Sequence, residues 1–395
     1  MPPPAPTYDP SGIEYYTIPD FHFSNGTTLH DVKVAYREFN RSAASSAGTV
    51  LIPTCYAGFI NTTLTFTTGN TSALSKYHVV VVAMLGNGES ASSSNKSFFP
   101  SPGELRYEDV VRAQHLLVTQ QFGISAQHPL EAVIGFSMGG QQAYHWAVMY
   151  PSLTKRVVAI CSAARTSLHN YAFLEGPIAA LTNSIDYVAW RAMKEKSARG
   201  EAVGAHLKEV VPKRGLRAFA RAYAAWLTSP RWFRDRLFVS DVNGVNTVED
   251  WMQVREQGYM LWDAEDLLVL ARMWQMGDVA SVERQNGEGE EGEQKSGNAN
   301  GGQQENLGLS QLGGAVPDDE RFVKALQSIS ARVLLMPCRT DQYFPPEDSE
   351  FELKHLKNAR LAVIESCWGH IAGGGANPKD VEFMNEQIAR FMEEE

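Results

Sequence analysis

The sequence predicts an α/β fold: a mostly parallel sheet with helices on both faces and an inserted helical lid. Three observations lead there. Short apolar, β-branched runs alternate with helical stretches towards both ends of the chain, the pattern of parallel strands covered from both sides. Between them, from about 166 to 320, helix formers and large aromatics prevail and no comparable strand run occurs. Third, EAVIGFSMGGQQAYHWAVMYP (131–151) passes from a strand pattern through Gly-Phe-Ser-Met-Gly directly into a helical one.

Taken in order, IEYYTI and DVKVAYREF alternate apolar and polar around the turn SNGTT, which predicts two antiparallel strands. Buried-type strands follow at 49–54, 78–83, 131–136 and 156–161, with helices over 103–123 and after Ser137. The same rhythm returns with strands at 331–338 and 359–365 and a last helix from about Lys379. These stretches divide the chain into a first core part (1–165), a helical lid insertion (166–320) and a second core part (321–395). Within the lid, 283–306 is poor in apolar residues and heavy in Gly, Glu, Gln and Asn. It cannot bury enough surface to offset its ordering entropy, so disorder is expected there.

Length and composition bound the function. The 395 residues can bury a substantial core, and 44% apolar with 20% charged residues is ordinary for a soluble enzyme. A formal charge of −10 argues against a nucleic-acid binder, and no apolar run approaches membrane-spanning length. The N-terminal MPPPAPTYDPSG has neither the basic nor the apolar region of a signal peptide, so a cytoplasmic location is expected. Cys55, Cys161, Cys338 and Cys367 lack metal-type spacing and are expected to be reduced residues near the sheet. No metal or other cofactor is called for.

Ser137 is the candidate nucleophile. Glycines at 135, 139 and 140 permit the sharp strand-to-helix turn that would expose its Oγ above the sheet edge. The Met138 amide, at a helix N-terminus, would then face a developing oxyanion. A serine hydroxyl needs a base, and the base needs a carboxylate to fix its tautomer. His145 lies on the same helix as Ser137, about 12 Å further along its axis, which is too far. His115, His22, His30 and His78 fall in a helix, strands or early turns and read as packing or surface residues. His370 instead follows a strand, in the loop SCWGHIAGGGANP, at the strand end where open α/β sheets carry their sites. Asp341 holds the matching place one strand earlier, whereas Glu347 and Asp348 read as first-turn acids of the next helix. The second oxyanion donor is expected from the loop PTCYAGFINTT, at the Tyr56 amide; alternatively Tyr56 only lines the pocket with its ring.

The chain resembles the homoserine acetyltransferase branch of the α/β-hydrolase superfamily. The resemblance spans nearly the whole length: VAYREFN, LGNGES, YEDVVRAQHLLVTQQFGI, GFSMGGQQAYHWAVMYP, HNYAFLEG, DAEDLLVLARMWQMGD, TDQYFPPED and WGHIAGG, in that order. It implies the α/β-hydrolase fold and carries the family's triad onto Ser137, Asp341 and His370. The chain departs from the pattern where the transacetylases hold an amino acid. Ile178 stands where they typically have an arginine for the carboxylate, and Ile371 stands where an aspartate follows the histidine. An ammonium and a carboxylate entering a pocket must be paired there, so homoserine is not the expected substrate.

The expectation is therefore a serine hydrolase for an ester or thioester of a small, largely apolar acyl metabolite. An O-acyltransferase in secondary metabolism, with acyl-CoA as co-substrate, is the alternative. A small-molecule receptor on a hydrolase scaffold is the non-catalytic one.

Overall fold

A computed structural model of the chain describes residues 7–63, 69, 72–201, 211–282 and 319–394. Among these, eight strands form one sheet: β1 (Glu14–His22), β2 (Thr28–Phe39), β3 (Thr49–Pro53), β4 (His78–Val82), β5 (Ala132–Phe136), β6 (Arg156–Ile160), β7 (Arg332–Met336) and β8 (Ala359–Leu361). The order is β1-β2-β4-β3-β5-β6-β7-β8. β1 pairs antiparallel with β2 and β2 with β4, and every later pairing is parallel.

The apolar strand runs are explained by cover on both sides. Leu51, Val80, Val82, Val133, Val157, Val333 and Leu335 belong to one core cluster. Their alternate neighbours Val50, Ile52, Val79, Val81, Ile134, Val158, Leu334 and Met336 belong to another. With a side-chain period of two, a strand buried on both faces has no polar position to spare. Helices α1 (Tyr107–Phe122) and α2 (Met138–Met149) add Val110, Leu117, Tyr144 and Trp146 to the first cluster.

Between β6 and β7 run α3 (Leu168–Thr182), α4 (Ile185–Ala198), α5 (Lys213–Ala224), α6 (Pro230–Arg234), α7 (Leu237–Ser240), α8 (Val248–Tyr259), α9 (Ala264–Gln275) and α10 (Asp319–Ser328). The described part of 166–320 contains no strand, as the sequence implied. The expected boundary at 320 falls inside α10, whose Phe322 and Leu326 pack into the first cluster with α2 and β7 residues. The segment 283–306, expected to be disordered, lies outside the described residues. Two helices complete the chain: α11 (Pro346–His355), with Glu347 and Asp348 in its first turn, and α12 (Pro378–Glu393), whose Met384, Ile388 and Phe391 close the second face.

This order positions the site. The chain leaves β3 towards β4 on one side and returns to β5 on the other, so the loops at the carboxyl ends of β3 and β5 diverge. Ligands of open α/β sheets bind in the crevice opened by such a reversal. Tyr56 follows β3 and Ser137 follows β5.

Candidate active site

Ser137 stands between the last residue of β5 and the first of α2, at φ +56° and ψ −127°. An L-residue holds that backbone only when its surroundings over-determine it. They do so here. The Ser137 amide donates to the Ile160 carbonyl at 2.9 Å, and its carbonyl accepts the Ser162 hydroxyl at 2.7 Å. Strand and helix also approach so closely that a Cβ on Gly135 would overlap the Gly139 carbonyl, and one on Gly140 would lie 2.5 Å from Ser162 Cβ.

The structure brings the three predicted side chains together. The Ser137 Oγ and His370 Nε2 are 2.9 Å apart, and the His370 Nδ1 and Asp341 Oδ2 are 2.8 Å apart. All three residues are buried. A carboxylate can only accept, so the imidazole proton lies on Nδ1, leaving Nε2 to accept the serine hydroxyl. The other Asp341 oxygen accepts the Tyr343 amide at 2.8 Å and the Phe344 amide at 3.3 Å, which fixes the carboxylate plane. Ring contacts hold the imidazole: Phe136 at 4.7 Å and Tyr343 at 4.6 Å between centroids. His145 is instead buried in α2, where its Nδ1 meets the Gln141 carbonyl and its ring stacks on Tyr107. Arg165 makes a structural contact, pairing with Asp319 and lying over the Phe322 ring.

Met138 is the first residue of α2, so its amide has no acceptor within the helix. Tyr56 and Ala57 form a turn closed by the Gly58 amide on the Cys55 carbonyl, with Ala57 at φ +48°. The Tyr56 ring is buried between Tyr223 and Trp274, and its hydroxyl donates to the Leu267 carbonyl at 3.0 Å. Sequence reasoning missed Gln142, one turn beyond Met138. Its side-chain amide donates to the Thr54 carbonyl at 2.9 Å and the Met138 carbonyl at 3.0 Å, tying the two loops together. A second glutamine in the GGQQ run was the signal available, since a buried amide on a helix must be satisfied from its surroundings.

Beside this constellation lies a cavity of about 530 Å³. Its walls include Cys55, Tyr56, Gly58, Phe136, Trp251 and Ile371. Ile371 thus faces the cavity as expected, whereas Ile178 is buried in the core with Leu174 and Leu181 and is not part of this wall. Burial pushes the Cys55 thiol up to about 12 and Cys338 up to about 11, which favours the protonated thiol in both. All four cysteines are free.

Residues 48–292 match the model of the alpha/beta hydrolase family. The chain belongs to that family. Among its relatives, the ethyl acetate hydrolase of Pseudomonas veronii is 29% identical over 386 residues, covering 96% of this chain and 95% of the relative. A homoserine O-acetyltransferase of Chloroherpeton thalassium is 23% identical over 356 residues, covering 87% and 80%. The solved structure of the acetyl esterase MekB superposes with a TM-score of 0.74 at 26% identity, over 97% of each chain. In alpha/beta hydrolases the nucleophile occupies the turn after a central strand, which is the place of Ser137 here.

Proposed function

We propose that the protein is a serine esterase that cleaves an ester or thioester of a small acyl group through an acyl-enzyme on Ser137, with His370 as general base and Asp341 as its orienting acid. The observation that carries this reading is the hydrogen-bonded series Ser137, His370, Asp341, buried at the carboxyl end of the sheet. The esterases among its relatives support the same chemistry.

In this mechanism the Ser137 oxygen attacks the ester carbonyl while its proton passes to His370 Nε2. The imidazolium is stabilised by the Asp341 carboxylate. The amides of Met138 and Tyr56 donate to the tetrahedral oxyanion, which lies near the positive end of α2. Collapse expels the alcohol, which takes the proton from Nε2. Water then repeats the sequence, giving the free acid and restoring the serine. The side chains supply every proton transfer, so the reaction calls for no prosthetic group. The helices between β6 and β7 act as a lid: Phe173, Tyr223 and Trp274 bring α3, α5 and α9 against Tyr343 and Tyr56 of the core loops.

A second reading, transfer of the acyl group from acyl-CoA to an alcohol, rests on the homoserine O-acetyltransferases among the relatives. Ile371 places an apolar side chain in the cavity wall directly after the catalytic histidine, so that position offers no charge to an ammonium, which weighs against an amino-acid acceptor held there. A fluorophosphonate probe tests the main reading. It is expected to label Ser137 in the native protein and not the folded Ser137→Ala variant. Turnover of a short ester by that variant at the native rate would remove the serine from the mechanism.

A further inference from the structure

Helix α8 carries a cation with no counter-charge among the described residues. Arg255 is partly buried, with its guanidinium carbon 4.4 Å from the centre of the Trp251 ring one turn earlier. The Arg255 Nε and the Trp251 indole Nε1 are both buried, and neither has an acceptor among the described residues. Both side chains line the cavity that also contains Tyr56, Phe136 and Ile371, the neighbours of the oxyanion loop, the serine and the histidine.

The nearby acids are committed elsewhere. Glu249 and Glu256 pair with Arg221 of α5, Glu256 also reaches Arg217, and Asp250 accepts the amides of Asn246 and Thr247. Cys55 in the wall and Tyr259 one turn along α8 are held neutral by burial. Asp241, on an exposed part of the wall, forms no ion pair with Arg255. Burial acts against the Arg255 charge, yet a guanidinium does not give up its proton in a protein. A partly buried cation without a partner is costly to keep, and its unpaired guanidinium in the cavity wall offers a place for an acceptor.

We propose that Arg255, stacked on Trp251, receives a carboxylate of the substrate, so that the ester taken is an acidic one. This deepens the serine-esterase reading and rests on it for the word substrate. A carboxylate fits better than a phosphate: Arg255 is the one cationic residue of the described wall, so it matches a single negative charge and leaves the second charge of a phosphate dianion unmatched. The charge enters from α8, not from the α3 position that Ile178 occupies, and a hydroxy acid or hemiester meets the demand without an ammonium.

The test is calorimetric titration of the Ser137→Ala protein, which cannot consume its ligand. Two matched pairs place the anion on either part of the ester: monomethyl against dimethyl succinate on the acyl side, and acetoxyacetate against its methyl ester on the alcohol side. Inorganic phosphate is the third arm. One acidic ester is expected to bind tenfold to a hundredfold tighter than its neutral partner, the range of a charge-assisted hydrogen bond. Adding Arg255→Gln should abolish that preference, and Arg255→Lys should retain part of it. Equal or tighter binding of the neutral member in both pairs overturns the proposal, as does a preference that survives Arg255→Gln, or phosphate binding above either carboxylate. Turnover of the same pairs by the native protein is read separately. An acidic preference in binding without hydrolysis of any ester leaves the Arg255 site standing and removes the esterase reading instead.

Discussion

The Ser137 hydroxyl, the imidazole of His370 and the Asp341 carboxylate each gain their role from the next residue in the series, so their loss is not additive. Ser137→Ala is expected to lower turnover of a short ester by several orders of magnitude. His370→Ala should cost nearly as much, and the double variant little more than either. Independent, multiplying losses in the double variant would contradict a unit. Asp341→Asn should fold normally yet lose most activity through the wrong imidazole tautomer, while Asp348→Asn, in the first turn of α11, keeps it. Tyr56 separates amide from side chain. Tyr56→Phe removes the bond to the Leu267 carbonyl and should cost about 1 kcal/mol of stability, with turnover largely retained because the amide remains. A large loss of turnover at unchanged stability would mean that the hydroxyl acts on the substrate. The three triad positions were legible in the sequence because each directly follows a strand pattern in a glycine- or polar-rich loop. Arg255 was not. In WMQVREQG it stands beside Glu256 like any residue of a solvated helix, and only the folded contacts show that Glu256 is turned towards α5.

At the scale of elements, the junction of β5 and α2 is the most constrained point of the fold. Ser137 holds a positive φ while Gly135 and Gly139 touch through the space a Cβ would fill. The colliding atoms are backbone, so Gly135→Ala cannot be relieved by a rotamer change. It should destabilise by more than the ~1–3 kcal/mol usual for overpacking, and denaturant unfolding reads the difference. An alanine variant as stable as the native protein would show that the close approach is not required. The positions of β3 to β7 were readable because both faces of that part of the sheet are buried and the runs are accordingly apolar. β8 was read too long: Ala359–Leu361 is the paired part, and beyond it the Ala362 amide donates to the Leu335 carbonyl and Ile364 makes a single bridge with Cys338. Its predicted length came from apolar residues that continue past the regular ladder, a distinction that composition does not carry.

Across the whole molecule, buried carboxyls that the triad does not use set a pH dependence of stability. Burial raises Glu352 to about 8, Glu89 and Asp266 to about 7 and Asp348 to about 6. A carboxyl whose folded value lies above its unfolded value binds more protons in the native state, so stability falls as pH rises between the two. Buried His78 and His145 and half-buried His115 are lowered below 6.5 and act in the opposite sense, but only up to that value. Unfolding free energy should therefore decline from about pH 6.5 to pH 8, and Glu352→Gln should flatten the upper part of the decline. Stability rising through that interval would contradict the assignment. The central claim concerns the chemistry at Ser137, and the most direct measurement of it is mass spectrometry of a rapidly quenched reaction with a short acyl ester, in the presence and absence of homoserine. An acyl adduct on the peptide containing Ser137 is expected, with free acid as the dominant product, unchanged by homoserine. An adduct on another residue, no adduct together with undiminished turnover, or saturable formation of O-acyl-homoserine would contradict it.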